Sequence, residues 1–370
     1  LSSNAKKYST EVSLIECEPS LNSRREITWQ DFENTSNKFA NALLSYNLKR
    51  GDKVAILMMN CLEWLPVYFG ILKTGALAVP LNFRFTAQEI KNCIETVKAK
   101  AIIYGPEFKE KIQQIRKNLS SVKTFIYVGE DTPANAQNYK DLLNQYPSRH
   151  PGIKISDSDD AALYFTSGTT GCPKPILLTH HNLFSACITE QKHHLQNRED
   201  NFLCIPPLYH TGAKMHWFGS LISGSKAVIL RGVKPKWILE TVSKEKVTIV
   251  WLLVPWAQDI LDAIEKGEID LKDYNLKQWR LMHIGAQPVP PSLIKRWKKY
   301  FPNQQYDTNY GLSEATGPGC VHLGIQNTHK VGSIGLPGYN WRAKIVDDEG
   351  HPVPTGQVGE LIVKGPGVMK

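Results

Sequence analysis

Short apolar runs alternate with amphipathic runs of helical length along most of this chain, and that rhythm constrains its fold more than any other feature. Ile27 to Leu44 (ITWQDFENTSNKFANALL) carries Phe32, Phe39, Ala40, Leu43 and Leu44 at spacings that suit one face of a helix. Lys53 to Met58 then reads as a short buried strand after Gly51-Asp52, Pro66 to Leu72 as a helix and Ala76 to Pro80 as a further strand. Ala101 to Tyr104 and Thr124 to Val128 repeat the strand pattern on either side of the amphipathic Phe108 to Leu119. The rhythm resumes with strands at Ala227 to Leu230 and Thr248 to Leu253 around a helix at Lys236 to Lys244, and with Leu281 to Ile284 before a helix at Pro291 to Tyr300. Alternation at this pitch predicts an α/β chain: two doubly wound subdomains with parallel sheets and helices on both faces, packed together over about 1–318. From about Gly319 the texture changes to glycine-punctuated short strands, which predicts the start of a small β-rich, barrel-like subdomain over about 319–370.

With 370 residues, 42% of them hydrophobic and 21% charged, the chain can bury a large core. The N-terminus LSSNAKKYST lacks the apolar stretch of a secretory signal and no apolar run has membrane-spanning length, so the expected location is the cytoplasm. The seven cysteines, Cys17, Cys61, Cys93, Cys172, Cys187, Cys204 and Cys320, are scattered without a metal-ligand spacing and are expected as reduced, mostly buried thiols. Forty-four Lys and Arg against 35 Asp and Glu give a net charge of +9, which suits an anionic ligand such as a nucleotide. No basic and aromatic ladder marks a nucleic-acid surface.

Chemistry concentrates in YFTSGTTGCPKPILLTH, residues 164–180. Ala161 to Phe165 and Ile176 to Leu178 read as strands, which makes the hydroxyl-rich stretch the loop between them, with Thr179 as N-cap of a helix running to about Gln196. Glycines let backbone N–H groups converge on an anion, Ser and Thr add donors, and Lys174, held extended between Pro173 and Pro175, adds a compact positive charge. Pro173 before Lys174 rules out a Walker loop, and GxSxG is absent, which removes a hydrolase elbow.

TSGTTGCPK, residues 166–174, resembles the signature loop of the adenylate-forming superfamily of acyl-CoA synthetases, peptide-synthetase adenylation domains and beetle luciferases. LKTGALAVPLN, PPLYHTG, GAQPVP, YGLSEATG and GELIVKGPG follow in that family's order, so the resemblance covers residues 1–370 as its large N-terminal domain. It implies ATP-dependent activation of a carboxylic acid to an acyl-adenylate, with Mg²⁺, and transfer of the acyl group to CoA. It also implies that Thr166, Ser167, Gly168, Thr169, Thr170, Gly171 and Lys174 embrace the departing phosphates. Tyr310 and Gly311 would pack on adenine, Gly285, Ala286 and Gln287 along its other side, and Asp307, Thr308 and Asn309 at its edge. Ser313, where the family more often has Thr, would contact the α-phosphate, and Glu314 would hold Mg²⁺. Thr166, Lys174, His210, Ser313 and Glu314 are the implied catalytic set.

His210 would stand between nucleotide and acyl pocket, the pocket drawing on Lys214, Met215, His216, Trp217, Gly219, Trp251, Val254 and Gly285. Tryptophans there would shorten it, favouring a short, medium-length or aromatic acid. Two departures stand out: Pro175 replaces the glycine that usually follows the lysine, and the family's ribose-binding aspartate, hinge and C-terminal lid are expected beyond Lys370. These 370 residues alone are therefore expected to adenylate poorly. Alternatives left open are a ligase that loads a carrier protein and a non-catalytic nucleotide- or acid-binding module; a homodimer is also left open. His180-His181 and His193-His194 have no ligand-type partners nearby in sequence and read as structural or surface residues.

Overall fold

A computed structural model describes residues 1–166, 173–323 and 330–370. Its first sheet has seven strands in the spatial order Gln137–Asn138, Thr124–Tyr127, Ala101–Tyr104, Lys53–Leu57, Leu77–Pro80, Asp160–Thr166 and Lys174–Thr179. All neighbours are parallel except the last pair, a hairpin in which Thr166 faces Lys174. The second sheet has nine: Leu336–Pro337, Pro318–Leu323, Gln305–Gly311, Leu281–Gly285, Ile249–Leu253, Asn201–Cys204, Lys226–Leu230, Val12–Glu18 and Ser23–Thr28. Its centre is parallel and both edges are antiparallel.

The sequence predicted most of these elements, because fully buried parallel strands must be continuously apolar and the helices that cover them must be amphipathic. Pro291–Tyr300 and Ala101–Tyr104 have the expected bounds. Trp29–Ser45 starts where Thr28 accepts from the backbone of Asp31 and Asp31 returns the bond, a reciprocal cap that satisfies otherwise orphaned donors. Thr179 does the same for His180–His193 through Asn182, as its position before the helix predicted. The packing of Trp29–Ser45 against Trp64–Lys73 depends on Gly70: a Cβ there would sit 2.7 Å from Phe39 Cδ1.

One hydrophobic core joins the two sheets. Trp64, Tyr68 and Tyr164 from the first half pack in the same cluster as Phe202, Phe218 and Trp251 from the second, while separate clusters fill the outer faces. One feature was not anticipated and one expectation needs correction. Val12–Glu18, at the start of the chain, lies in the second sheet beside Lys226–Leu230, so the halves are not sequential in the chain. The separate β unit does not start near 319: Pro318–Leu323 and Leu336–Pro337 extend the nine-stranded sheet, and Arg342–Val346 with Glu360–Lys364 form the separate antiparallel pair. Glycine spacing marked turns correctly but carried no information about which sheet edge a strand joins. Among the described residues no helix is long and apolar enough to cross a membrane.

Candidate active site

Three parallel strands of the second sheet end at one cavity of about 730 Å³, the place where open α/β sheets bind ligands. Leu281–Gly285 delivers Ala286 and Gln287, Gln305–Gly311 delivers Thr308, Asn309, Tyr310 and Gly311, and Ile249–Leu253 delivers Trp251 and Leu253. Ser313 sits in a single helical turn, Ser313–Ala315, directly after Tyr310 and Leu312 have entered the wall. Its hydroxyl lies 3.4 Å from Thr211 Oγ1, which ties YGLSE to PPLYHTG across the cavity. Two residues beside the site hold a left-handed backbone without being glycine: Ala286 at φ +65° and the fully buried Thr316 at φ +63°. Such positions cost about 1–3 kcal/mol each and persist where the surroundings dictate them. Thr316 is fixed by its hydroxyl, which donates to the Gly367 carbonyl at 2.6 Å.

His210 is the N-cap residue of Thr211–Ser223, and its ring opens onto the cavity beside Tyr209, 4.3 Å between ring centres. Desolvation by the cavity walls, with Lys214 and Arg84 nearby, lowers its pKa to about 4. The positive end of the helix acts in the same direction, so at neutral pH the ring is uncharged and can meet a carboxylate or an adenylate only as a neutral hydrogen-bonding group. Glu314 is half-buried, and its carboxylate takes part in no hydrogen bond or ion pair among the described residues. Its own carbonyl accepts from Met369 N at 2.7 Å, which fixes the turn that carries it.

The structure thus brings together Ala286, Gln287, Thr308, Asn309, Tyr310, Gly311, Ser313, His210 and Trp251. Thr166 and Lys174 face each other across the hairpin that bears the phosphate-loop motif, Lys174 being exposed, and neither lines the cavity. Ser167, Gly168, Thr169, Thr170 and Gly171 lie outside the described residues, as do the side chains of Met215, His216 and Trp217. Several expected residues face elsewhere. Asp307 does not line the cavity; it is 1% exposed, with its carboxylate turned to His194 and His283. Val254 is in the outer core, its neighbour Leu253 taking the wall position, and Gly285 is a buried strand residue behind Ala286. Gly219 packs under Gln196, whose amide oxygen would lie 2.2 Å from a Cβ. Sequence reading missed Pro288, Ser333 and Ile334 as wall residues, since nothing in their local pattern distinguishes a loop that covers a cavity from one that faces solvent.

Lys214 is also displaced from the expected acyl pocket. It is fully buried, with Nζ 4.2 to 5.2 Å from the ring centres of Tyr164, Tyr68 and Trp64, and one long hydrogen bond to the Leu208 carbonyl at 3.4 Å. The ring faces favour an ammonium, but burial outweighs them and holds the pKa well below the ordinary 10.5. Lys214→Met should therefore stabilise the fold by about 1–3 kcal/mol at pH 7. The unfolded lysine keeps its proton up to its ordinary pKa, so the wild type should gain on the variant as the pH rises toward that value. Urea titrations of both proteins at neutral and alkaline pH check this; a gap that does not narrow would contradict it.

A second cavity, about 470 Å³, lies at the ends of Lys53–Leu57 and Ala101–Tyr104. Its cations are already paired, Arg25 with Glu16 and Glu63, Arg231 with Glu18 and Glu107, and Lys140 loosely with Glu130 at 4.0 Å, and none of the residues expected from the sequence lines it.

The family model described as AMP-binding enzyme matches residues 1–370. The chain belongs to the AMP-binding enzyme family. Among curated relatives, a feruloyl-CoA synthase from Amycolatopsis sp is 28% identical over 346 residues, 93% of this chain and 66% of the relative. A 4-coumarate–CoA ligase from Pinus taeda is 28% identical over 356 residues, 94% of this chain and 65% of the relative. The chain thus spans about two thirds of the length of these relatives. Its fold matches the N-terminal domain of FACL13 from Mycobacterium tuberculosis with a TM-score of 0.89 at 24% identity, covering 100% of this chain and 88% of that one.

Proposed function

We propose that this chain carries the acid-activating site of an ATP-dependent acyl-CoA ligase. A free carboxylate is a poor acyl donor, because its leaving group would be oxide. Joined to AMP it becomes a mixed anhydride with a stabilised phosphate as leaving group. A carboxylate oxygen attacks the α-phosphorus, the bond to the bridging oxygen breaks, and pyrophosphate leaves with the electron pair. The protein has to align the two reactants and neutralise phosphate charge.

The observation that carries this reading is one cavity with two kinds of lining. Tyr310, Ala286 and Gln287 offer an aromatic face and an amide that suit a purine, and Trp251, Leu253 and His210 offer apolar surface with one neutral polar group that suits an acyl chain. Ser313 lines the same cavity with a hydroxyl suited to an α-phosphate oxygen. The uncommitted, half-buried Glu314 carboxylate fits a hard cation. Glu314 would hold Mg²⁺, which supplies charge neutralisation at the phosphates when bound. Thr166 and Lys174, whose pairing brings the ends of the loop together, would grip the β- and γ-phosphates with residues 167–171.

The acid is proposed to be aromatic or of short to medium length, because the bulky indole of Trp251 is part of the cavity wall and would shorten an acyl pocket on that side. The relatives named for feruloyl- and 4-coumaroyl-CoA formation support an aromatic acid. CoA is the proposed acceptor in the complete protein. Pyrophosphate release by the complete protein over a panel of carboxylates tests the reading: aromatic and short acids should turn over faster than a palmitate-length acid, and the reverse order would reject the proposed pocket.

A further inference from the structure

The two adjacent histidines that end helix His180–His193 are not surface residues. His193 is 5% exposed and His194 is 1% exposed, and both face His283 and Asp307, at 0% and 1%. His283 and Asp307 are register partners on neighbouring parallel strands, so their side chains leave the sheet side by side on one face. Consecutive helical residues ordinarily diverge by about a quarter turn. Here the helix stops at His194, Leu195 adopts a left-handed φ of +49°, and the two rings lie nearly parallel with centres 5.0 Å apart. One ligand atom from each of His193, His194, His283 and Asp307 lies within 4.8 Å of all the others.

We propose that these four residues bind a divalent transition-metal ion, zinc by the chemistry of the donors. Three imidazole nitrogens and one carboxylate oxygen are a zinc set, whereas Mg²⁺ and Ca²⁺ prefer oxygen ligands. The Nε2 atom of His193 is buried with no hydrogen-bond partner among the described residues, 3.6 Å from Asp307 Oδ2. A buried polar atom left in that state costs about 1–3 kcal/mol, which a metal bond would remove. Its other nitrogen, Nδ1, faces Glu190 Oε2 at 3.4 Å, and the other oxygen of Glu190 accepts from Asn309 Nδ2 at 3.1 Å. A carboxylate on the outer nitrogen is the usual way to orient a ligating imidazole. Two buried carboxylates, Asp307 and Glu190, face the cluster, so a divalent cation there would meet opposite charge. Four protein ligands sealed from solvent make the site structural. It would fasten the end of the helix to the two strands that carry Ala286, Gln287, Asn309 and Tyr310 into the cavity.

The test uses the untagged chain. Elemental analysis after purification without chelator should give about one zinc per chain, and the chelator-stripped protein should regain it, with a rise in Tm. Co²⁺ added to the stripped protein should give the intense visible bands of four-coordinate cobalt with nitrogen and oxygen ligands. H193A and H283A should weaken zinc binding by at least about 100-fold, while H150A, at an exposed loop position, should not change it. The wild-type cobalt spectrum stands independently of whether the variants fold. Failure of the stripped wild type to take up zinc or cobalt, or unchanged zinc affinity in folded H193A and H283A, would overturn the proposal in favour of a metal-free hydrogen-bonded cluster.

Discussion

Replacing Glu314 by alanine in the complete protein should lower acyl-adenylate formation by about 10²–10³-fold, the usual loss when one group that compensates developing charge is removed. The fold should be unaffected. The side chain bonds to nothing among the described residues, and the contact that fixes its turn is the Glu314 carbonyl accepting from Met369 N, which alanine retains. A carboxylate beside a polyphosphate is repulsive unless a cation lies between them, so the expected loss reads the cation site directly. Pyrophosphate release at saturating ATP and Mg²⁺, with circular dichroism to confirm folding, measures it. Activity in E314A within a factor of about three of wild type would remove Glu314 from the site.

Asp307→Ala should destabilise the chain by about 3–5 kcal/mol, the range for breaking a buried charge cluster by deleting one partner. Burial by itself would raise the Asp307 pKa, but attraction from His193, His194 and His283 prevails and holds it well below the ordinary carboxylate value. The anion accepts from His283 Nδ1 at 2.5 Å and His194 Nδ1 at 2.8 Å, so alanine would remove the acceptor of two buried imidazole N–H groups and open a small cavity. Against a typical total stability of about 5–15 kcal/mol, that is a large fraction. Urea denaturation in chelator separates this loss from any effect of bound metal. Glu130→Ala, which removes the exposed partner of Lys140, is the control and should shift the midpoint little. A loss below about 1 kcal/mol in D307A would show that the carboxylate is not the countercharge of the cluster.

Much of this architecture was legible in the residue order, for definite physical reasons. A parallel strand buried on both faces has to be a short apolar run, which is why IVWLL and AIIY predict strands without any knowledge of their neighbours. Thr179 before His180 and Thr28 before Trp29 predict helix starts because a cap is satisfied within three residues. The cavity was legible where its lining comes from contiguous motifs. YGLSE and GAQ begin at the last residues of strands, and strand ends converge in a sheet of this kind.

Lys214 and Gly219 show the limit. Both are in the helix that His210 caps, yet which face a residue presents depends on what packs against that helix, and Tyr68, Tyr164 and Gln196 come from distant parts of the chain. The first strand, Val12–Glu18, was invisible as a member of the second sheet because strand order is set by long-range pairing.

The sequence by itself determined most of the elements, the family and several of the motifs that line the cavity, since each depends on residues close together in the chain. Only the tertiary structure decided what Asp307 does. Its neighbour Thr308 turns toward the cavity while Asp307 turns the opposite way, because successive strand residues alternate faces. His193 and His194 arrive from a helix and His283 from the adjacent strand, more than eighty positions apart in sequence, and only the packing of that helix on the sheet makes them one site.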